Sequence, residues 1–401
     1  MKCKNFFILM ALVFFIFCCY CSKKGDECAS PKVETIDGIP HVYNNKEPLK
    51  GELTLELEKL MEIDSLVIDK SQPPSISQFN HYKDRIYFFD ANQFKIFIFD
   101  AGGKLLNQFE IKGQGPGEIE RVTQFVLGAH NNDLWIPAET KVIRYDRDGK
   151  FLEEFKFQKT YRQMFINDEN SFIGKYFINQ NALDKSKRSK LLCFMFNREE
   201  QILTKYFEGE GLGGLEVIGQ HPNGRRMRVV FVMQNIVPDV VFEVDRDRQL
   251  IYIAKTAEYV VSVKTLKGDL QRVIHKVHTN RLLSEEDRKE IVGQQLFGQP
   301  DEIKKLMASN LPAQFCAILT ARALPNGYFM VHQITGASTF NIDIFDAEGR
   351  YIYRLKYPGK KEIPWMLIYP GEGSLGMVEQ AGDRDIYYEY KIKNLTEIFG
   401  R

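Results

Sequence analysis

Alternating apolar and polar positions dominate the chain from about Glu52 onward and predict strands joined by tight turns. R-I-Y-F-F beginning at Arg85 gives one strand, K-I-F-I-F from Lys95 a second, and L-L-N-Q-F after A-G-G-K a third. Asp100 and Gly103 mark the second turn; a carboxylate can accept from the turn backbone, and glycine tolerates a positive φ. The unit returns as K-V-I-R-Y-D-R-D-G-K-F-L-E-E-F from Lys141, with Asp146 and Gly149 in the same roles, 46 residues on. Looser copies place Asn197 after 51 more residues and Asp245 after a further 48. A strong copy, F-N-I-D-I-F-D-A-E-G-R-Y-I-Y-R-L, places Asp346 and Gly349 one double interval later.

A strand-like segment precedes most of these hairpins: D-L-W-I at Asp133, R-V-V-F-V-M at Arg228 and Y-F-M-V-H at Tyr328. Before it comes a further short apolar stretch, such as 122–127 or 317–321. Four strands in about 46 to 51 residues is the period of a propeller blade. The expected fold is therefore all-β, a six-bladed β-propeller of four-stranded antiparallel blades spanning 51–395. The doubled interval after Asp245 is read as a helical insertion, 262–312, between blades 4 and 5. There Ser284 followed by Glu285, Glu286 and Asp287 opens a helix through about Leu296, and Pro300 opens a second; a further helix is expected over 268–283. The last blade shows three strands, at Trp365, Ser374 and Asp385. An unpaired edge invites aggregation, so the segment E-L-T-L-E-L-E-K-L-M-E-I from Glu52 is expected to supply its outermost strand and close the ring.

Composition changes this picture little. Thirty Phe and eighteen Tyr suit pleated, half-buried surfaces, and 54 basic residues nearly cancel 53 acidic ones, so nothing favours a nucleic-acid partner. Five of the seven cysteines fall in the first 28 residues, and the body holds only Cys193 and Cys316, read as buried small hydrophobes.

The amino terminus reads as a targeting segment. Lys2 and Lys4 precede an apolar run from Phe6 to Tyr20, shorter than the roughly 18 to 20 residues of a spanning helix. Residues 1–21 are taken as a signal of the bacterial lipoprotein type, with Cys19 or Cys21 as the lipidated residue, and 22–50 as a tether. The expected location is the cell envelope, with the membrane reached through a lipid, the chain monomeric, and a protein or glycan as partner.

The blade pattern, with G-Q-G-P-G-E at Gly113–Glu118 after the first complete hairpin, resembles the six-bladed NHL-like propeller lipoproteins of bacterial envelopes. The resemblance spans residues 50–395 outside the insertion and implies a fold, with no catalytic residues attached. The later blades lack the D-x-x-G-N-I-Y-V pattern of NHL repeats, so neither RNA nor peptide binding follows from it.

Candidate chemistry is sparse. Gly209–Gly214 satisfies G-x-G-x-x-G, but no helix follows it, and it sits where Gly113, Gly115 and Gly117 sit in the first blade; an inter-blade turn is the reading, with no cofactor. His275 and His278 would share a face of the helix expected there. His332 lies on a second strand. A basic run, Lys185 to Lys190 with Arg225, Arg226 and Arg228, reads as a solvated loop, or as a site for an anionic glycan or headgroup. The leading expectation is a binding module. The alternative is a hydrolase or lyase acting on a sugar or lactone through a divalent metal in the channel, with Glu118, Asn167 and Glu372 as candidate ligands.

Overall fold

The structure, a computed structural model, describes residues 30–64, 76–90, 93–120, 128–130, 133–138, 140–178, 189–211, 215–220, 226–231, 236–296, 301–337, 339–358, 366–369, 373–381 and 384–399. Four strands come before the first blade: β1 (Lys32–Ile36), β2 (Ile39–Asn44), β3 (Glu52–Thr54) and β4 (Leu57–Ile63). Blade 1 is β5 (Ile76–Tyr82), β6 (Arg85–Asp90), β7 (Lys95–Asp100) and β8 (Leu105–Glu110). Blade 2 is β9 (Gly128–His130), β10 (Asp133–Ala138), β11 (Lys141–Tyr145) and β12 (Phe151–Lys156). Blade 3 is β13 (Gln163–Ile166), β14 (Ser171–Ile178), β15 (Ser189–Asn197) and β16 (Ile202–Gly211), followed by a separate hairpin, β17 (Leu215–Gln220) and β18 (Arg226–Phe231). Blade 4 is β19 (Val240–Asp245), β20 (Leu250–Lys255), β21 (Val260–Thr265) and β22 (Leu270–Lys276). Helices α1 (Glu285–Gln295) and α2 (Asp301–Asn310) lead into blade 5: β23 (Ile318–Ala323), β24 (Phe329–Ile334), β25 (Phe340–Phe345) and β26 (Tyr351–Lys356). Blade 6 is β27 (Met366–Tyr369), β28 (Ser374–Ala381) and β29 (Arg384–Ile392), and the short α3 (Leu395–Phe399) ends the described chain.

The ring is closed by packing as well as by pairing. Each junction between neighbouring blades holds one apolar cluster. Tyr87 and Ile98 meet Leu134 and Ile143 between blades 1 and 2, and Trp135 meets Phe172 and Phe194 between 2 and 3. Cys193 meets Phe242 and Ile253 between 3 and 4, Tyr252 meets Phe329 between 4 and 5, and Ile342 meets Met377 between 5 and 6. Tyr387 meets Ile86 and Phe88 between blades 6 and 1. Each such side chain, fully buried, contributes about 1.5 to 3 kcal/mol, so a blade removed would strip two clusters at once. The final blade is completed from the amino terminus: β4 pairs antiparallel with β29, with Ile63 opposite Tyr387 and Met61 opposite Glu389. The expected closure holds.

The same amino-terminal segment does more than close the ring. β2 lies parallel to β22 on the outer edge of blade 4, with β1 outside it, and β3 lies parallel to β26 on blade 5. Residues 32–63 thus form a strap across three consecutive blades. Residues 32–50, expected as tether, are therefore part of the folded body. Asn44 pins the strap: its amide donates to the carbonyls of Gly349 (2.9 Å) and His275 (3.1 Å), and its carbonyl accepts from the Tyr351 N–H (2.7 Å).

The turn between third and fourth strands is one device used five times. Its first residue is Asp100, Asp146, Asn197, Thr265 or Asp346, whose side chain accepts from the backbone N–H four residues on. The residue three positions on has positive φ: Gly103, Gly149, Gly268 and Gly349, with Glu200 taking that strain in blade 3. This corrects the expected register of blade 4. Asp245 ends that blade's first strand, where it accepts from Arg248 N–H, and the true equivalent is the T-L-K-G-D turn at Thr265. R-V-V-F-V-M at Arg228 belongs to the inserted hairpin, and residues 262–276 are strands of blade 4. The helix expected over 268–283 is instead β22, because Val273 and Ile274 pair with β21 on one side and β2 on the other. The helical excursion is confined to α1 and α2.

Candidate functional site

Each blade runs antiparallel through strands one to four, and the fourth feeds the first strand of the next blade. The inter-blade connections and the 2–3 turns therefore share one face of the ring, and the Asp-type turns lie on the other. Three features concentrate on the connection face: the glycine-rich loop between blades 1 and 2, the β17–β18 hairpin between 3 and 4, and α1–α2 between 4 and 5.

The helices are built to sit there rigidly. Ser284 caps α1 in both directions: its hydroxyl accepts from the Asp287 N–H (3.1 Å), and the Asp287 carboxylate accepts from the Ser284 N–H (2.8 Å). Arg288 reaches from α1 to donate to the carbonyls of Ala308, Leu311 and Pro312 at the end of α2, where unpaired carbonyls and the helix dipole favour a cation. Ile291, Ile303 and Met307 bury beneath them against Ile236, Val237, Phe315 and Cys316, and α2 packs beside β17. The hairpin and the helices are thus one elaboration of one face.

The glycine-rich loop is held from inside. The Glu118 carboxylate accepts from the Gly115 N–H (2.8 Å), and a Cβ at Gly113 would stand 2.0 Å from its Oε2. The Gly117 carbonyl accepts from the Tyr145 hydroxyl, and its N–H donates to Glu154 (3.2 Å), which Lys141 also contacts (3.2 Å). Burial pushes the Glu154 carboxyl up, yet the Gly117 N–H and the Lys156 and Lys141 ammonium groups outweigh it and hold it below the usual carboxylate range. Beside this loop lies an open cleft of about 480 Å³, lined by Gln114, Glu118, Glu120, Thr140, Lys141 and Lys156 among others. Its walls offer donors and acceptors of both signs beside Ile119, Ala138 and Phe157, a mainly polar lining that suits a hydroxyl-rich ligand better than a lipid tail.

At the axis the inner strands carry charge. Glu243 on β19 accepts from Arg322 on β23 (3.0 Å), the Gln163 amide donates to the Phe242 carbonyl (3.3 Å), and the Arg246 guanidinium lies 4.7 Å over the Phe165 ring. Burial pushes the Glu243 carboxyl up, against the pull of Arg322.

The candidate metal ligands do not converge. Glu118 is folded onto its own loop. Asn167 stands in the turn between β13 and β14, on the opposite face, where it donates to Asp168 (2.9 Å) and Ser171 (2.8 Å). Glu372, Cys19 and Cys21 lie outside the described residues, as do 185–188 of the basic run and Arg225. Among the described residues there is no group of three or more His, Cys, Asp or Glu side chains placed to hold one ion. Cys193 and Cys316 are free and buried, and burial pushes the Cys193 thiol up to about 12. His275 and His278 share no helix. His275 meets His41 of the strap, whereas His278 faces the Gln333 amide (3.3 Å).

A buried ionic cluster escaped the sequence reading. Between blades 4 and 5 the Lys276 ammonium donates to Asp343 (2.5 Å) and Gln333 (2.7 Å), with less than 2% of either charged side chain exposed. The hydroxyls of Tyr259 (2.6 Å) and Tyr351 (2.5 Å) donate to the same carboxylate, and both rings face the ammonium at about 4.5 Å. Burial pushes the Lys276 amine down, and Asp343 opposes that shift. A similar pair, Lys175–Asp239 (2.7 Å), joins blade 3 to the entry of blade 4. A lone carboxylate inside I-D-I-F was the available signal, since a charge within a buried third strand needs a partner.

A family model described as DUF5128, 6-bladed beta-propeller, matches residues 61–250. No curated protein matches the sequence. Among solved structures, a protein of Bacteroides fragilis NCTC 9343 inferred to be exported superposes with a TM-score of 0.51 at 13% identity, covering 88% of this chain and 99% of its own. A DUF4221 family member from Bacteroides vulgatus ATCC 8482 gives a TM-score of 0.46 at 10% identity over 84% of this chain and 98% of that one. At these identities the likeness is one of fold alone. The chain is a six-bladed β-propeller.

Proposed function

We propose that the protein is an exported, envelope-held binding module that meets its partner with the connection face of the ring. The observation that carries this reading is the concentration of the hairpin, the capped helix pair and the polar cleft on that one face, while among the described residues the opposite face carries short turns and the five-residue α3. Export is supported by the basic and apolar start of the sequence, and by the exported character inferred for the Bacteroides fragilis protein that shares the fold. Lipidation at Cys19 or Cys21 follows from the same segment, and intact-mass analysis of the mature protein checks it: a free terminus at Lys23 or later excludes it. The partner is a protein or a glycan of the envelope.

Photo-crosslinking residues test the face directly. One set replaces Lys289 and Lys305, exposed on α1 and α2; another replaces Lys104 and Lys150, exposed in the turns of the opposite face. In envelope preparations the first set is expected to give a discrete adduct and the second none. Adducts from the turn side alone, or none from either, would overturn the assignment.

A further inference from the structure

His41 on β2 and His275 on β22 lie 234 residues apart in the sequence and meet nitrogen to nitrogen. The His41 Nδ1 stands 3.2 Å from the His275 Nε2, with the rings within 19° of parallel and their centroids 5.4 Å apart. Tyr43 stacks on His275 at 4.5 Å and fixes that ring from behind. Glu34 lies directly across β1 from His41 in the strand register. The Glu34 carboxyl pairs with Lys32, which chiefly holds it below the usual carboxylate range, with smaller contributions from the Tyr43 hydroxyl and His41. Both imidazoles are half-buried on the outer surface of blade 4, so solvent ions reach them.

We propose that His41 and His275 form a divalent transition-metal site that staples the amino-terminal strap to blade 4, with water filling the remaining coordination positions.

Two nitrogens each about 2.0 to 2.1 Å from a tetrahedral zinc ion stand about 3.3 Å apart, and the observed separation already matches that span. Without an ion, one ring donates N–H to the other, a bond that needs one imidazole neutral. With an ion, a small rotation of each ring turns both lone pairs onto it. Imidazole pairs favour zinc, copper and nickel over calcium or magnesium, which take oxygen ligands. With only two imidazoles from the protein, the ion would be exchangeable and not a folding core. Its consequence is local, because strap and blade 4 are joined here by β2–β22 pairing and by Asn44, and the ion adds a third tie.

The test is calorimetric titration of the full chain with Zn²⁺, after iodoacetamide has blocked its accessible cysteines. One equivalent is expected to bind. H41A and H275A are each expected to abolish that isotherm. H278Q, which leaves the pair intact, is the control and should bind as the wild type does. With Cu²⁺, electron paramagnetic resonance should show coupling to two nitrogens in the wild type and to fewer in either single variant. Circular dichroism of each variant confirms that it is folded. Zinc binding that persists in folded H41A, or no binding in the wild type, would overturn the proposal and leave the contact as a hydrogen bond.

Discussion

The outer edge of blade 5 and those of blades 1 to 3 begin with the same kind of sequence and end in different surroundings. After the turn in blades 1, 2, 3 and 5 the fourth strand opens with an apolar pair, whereas in blade 4 it opens with Leu270 and Gln271. In blade 5 that pair, Tyr351 and Ile352, is 1% and 6% exposed, because residues 49–50 of the strap hydrogen-bond to it. In blades 1 and 3 the matching pairs are open: Leu105 and Leu106 at 39% and 42%, Ile202 and Leu203 at 53% each. The local pattern is shared, so the strap decides which pair is core. The bare strands protect themselves differently. β8, β12 and β16 intersperse Asn, Gln, Glu and Lys, which discourages another chain from pairing with the exposed edge.

The largest expected effect lies on the strapped side. D343A leaves Lys276 charged and unpaired inside the protein and strips two tyrosine hydroxyls of their acceptor. Breaking a buried pair in this way costs about 3 to 5 kcal/mol, read as a shift in the urea unfolding midpoint. The double change K276M–D343L should recover most of that loss, since apolar groups of similar volume often replace a buried pair without penalty. If the double variant were no more stable than D343A, packing rather than charge would explain the site.

N44A tests the strap itself. It removes three hydrogen bonds and leaves the Tyr351 N–H without its acceptor, for an expected loss of about 2 to 3 kcal/mol. Hydrogen exchange should rise in β1–β3 and at Tyr351, with β7 and β11 unchanged. Exchange that rose equally around the ring would show that the two halves are not separable.

A pH titration distinguishes the halves by charge. His332 on β24 is 3% exposed; its Nδ1 has no hydrogen-bond partner, and burial, helped by Arg322, pushes its pKa down to about 3. The unfolded chain titrates this group near 6.5, so between about 6.5 and 3 the unfolded state holds the extra proton and stability falls as pH falls. At about 1.4 kcal/mol per unit, this one group accounts for about 2 kcal/mol by pH 5. H332L is expected to flatten the acid limb of a plot of unfolding free energy against pH by one proton. An unchanged slope would mean that His332 is already charged in the folded protein.

How much of this was legible depends on distance along the chain. Blades 1, 2 and 5 announce themselves, because Asp100, Asp146 and Asp346 each precede a glycine by three residues, and a hairpin needs nothing further away. Blade 4 was misplaced by one hairpin because its turn begins with Thr265, while Asp245 stands in a different turn. β22 lies beside β21, its neighbour in sequence, but the strand that makes it an inner strand, β2, lies more than 200 residues earlier. The same separation hid the His41–His275 contact, and the ionic cluster joins residues of two blades that are 57 to 84 positions apart along the chain. Their members are ordinary residues until the ring brings three blades and the strap together. The cap at Ser284 and the closing strand near Met61 were legible, the first from a local motif and the second from an edge that had to be covered.

The smallest expected effect sharpens the bare side. Glu200 holds the positive φ of 57° that glycine holds in the other four turns, a conformation that costs a side-chain-bearing residue about 1 to 2 kcal/mol. Glycine there would remove the strain, and taken alone the comparison predicts a more stable protein. The Glu200 carboxylate, however, accepts from the Gln158 N–H (2.7 Å), the Lys159 N–H (3.2 Å) and the Tyr161 hydroxyl (2.9 Å), and so fastens blade 3 to the connection from blade 2. Hydrogen bonds to a charged group contribute about 1.5 to 3 kcal/mol each when buried and less where water reaches the carboxylate, as it does at the 11% exposed Glu200 side chain. Three of them outweigh the strain, so E200G should be destabilised by about 1 kcal/mol in thermal unfolding. A gain in stability would mean that blade 3 carries its strain for nothing, and that the connection to blade 2 is held by Tyr161 packing alone.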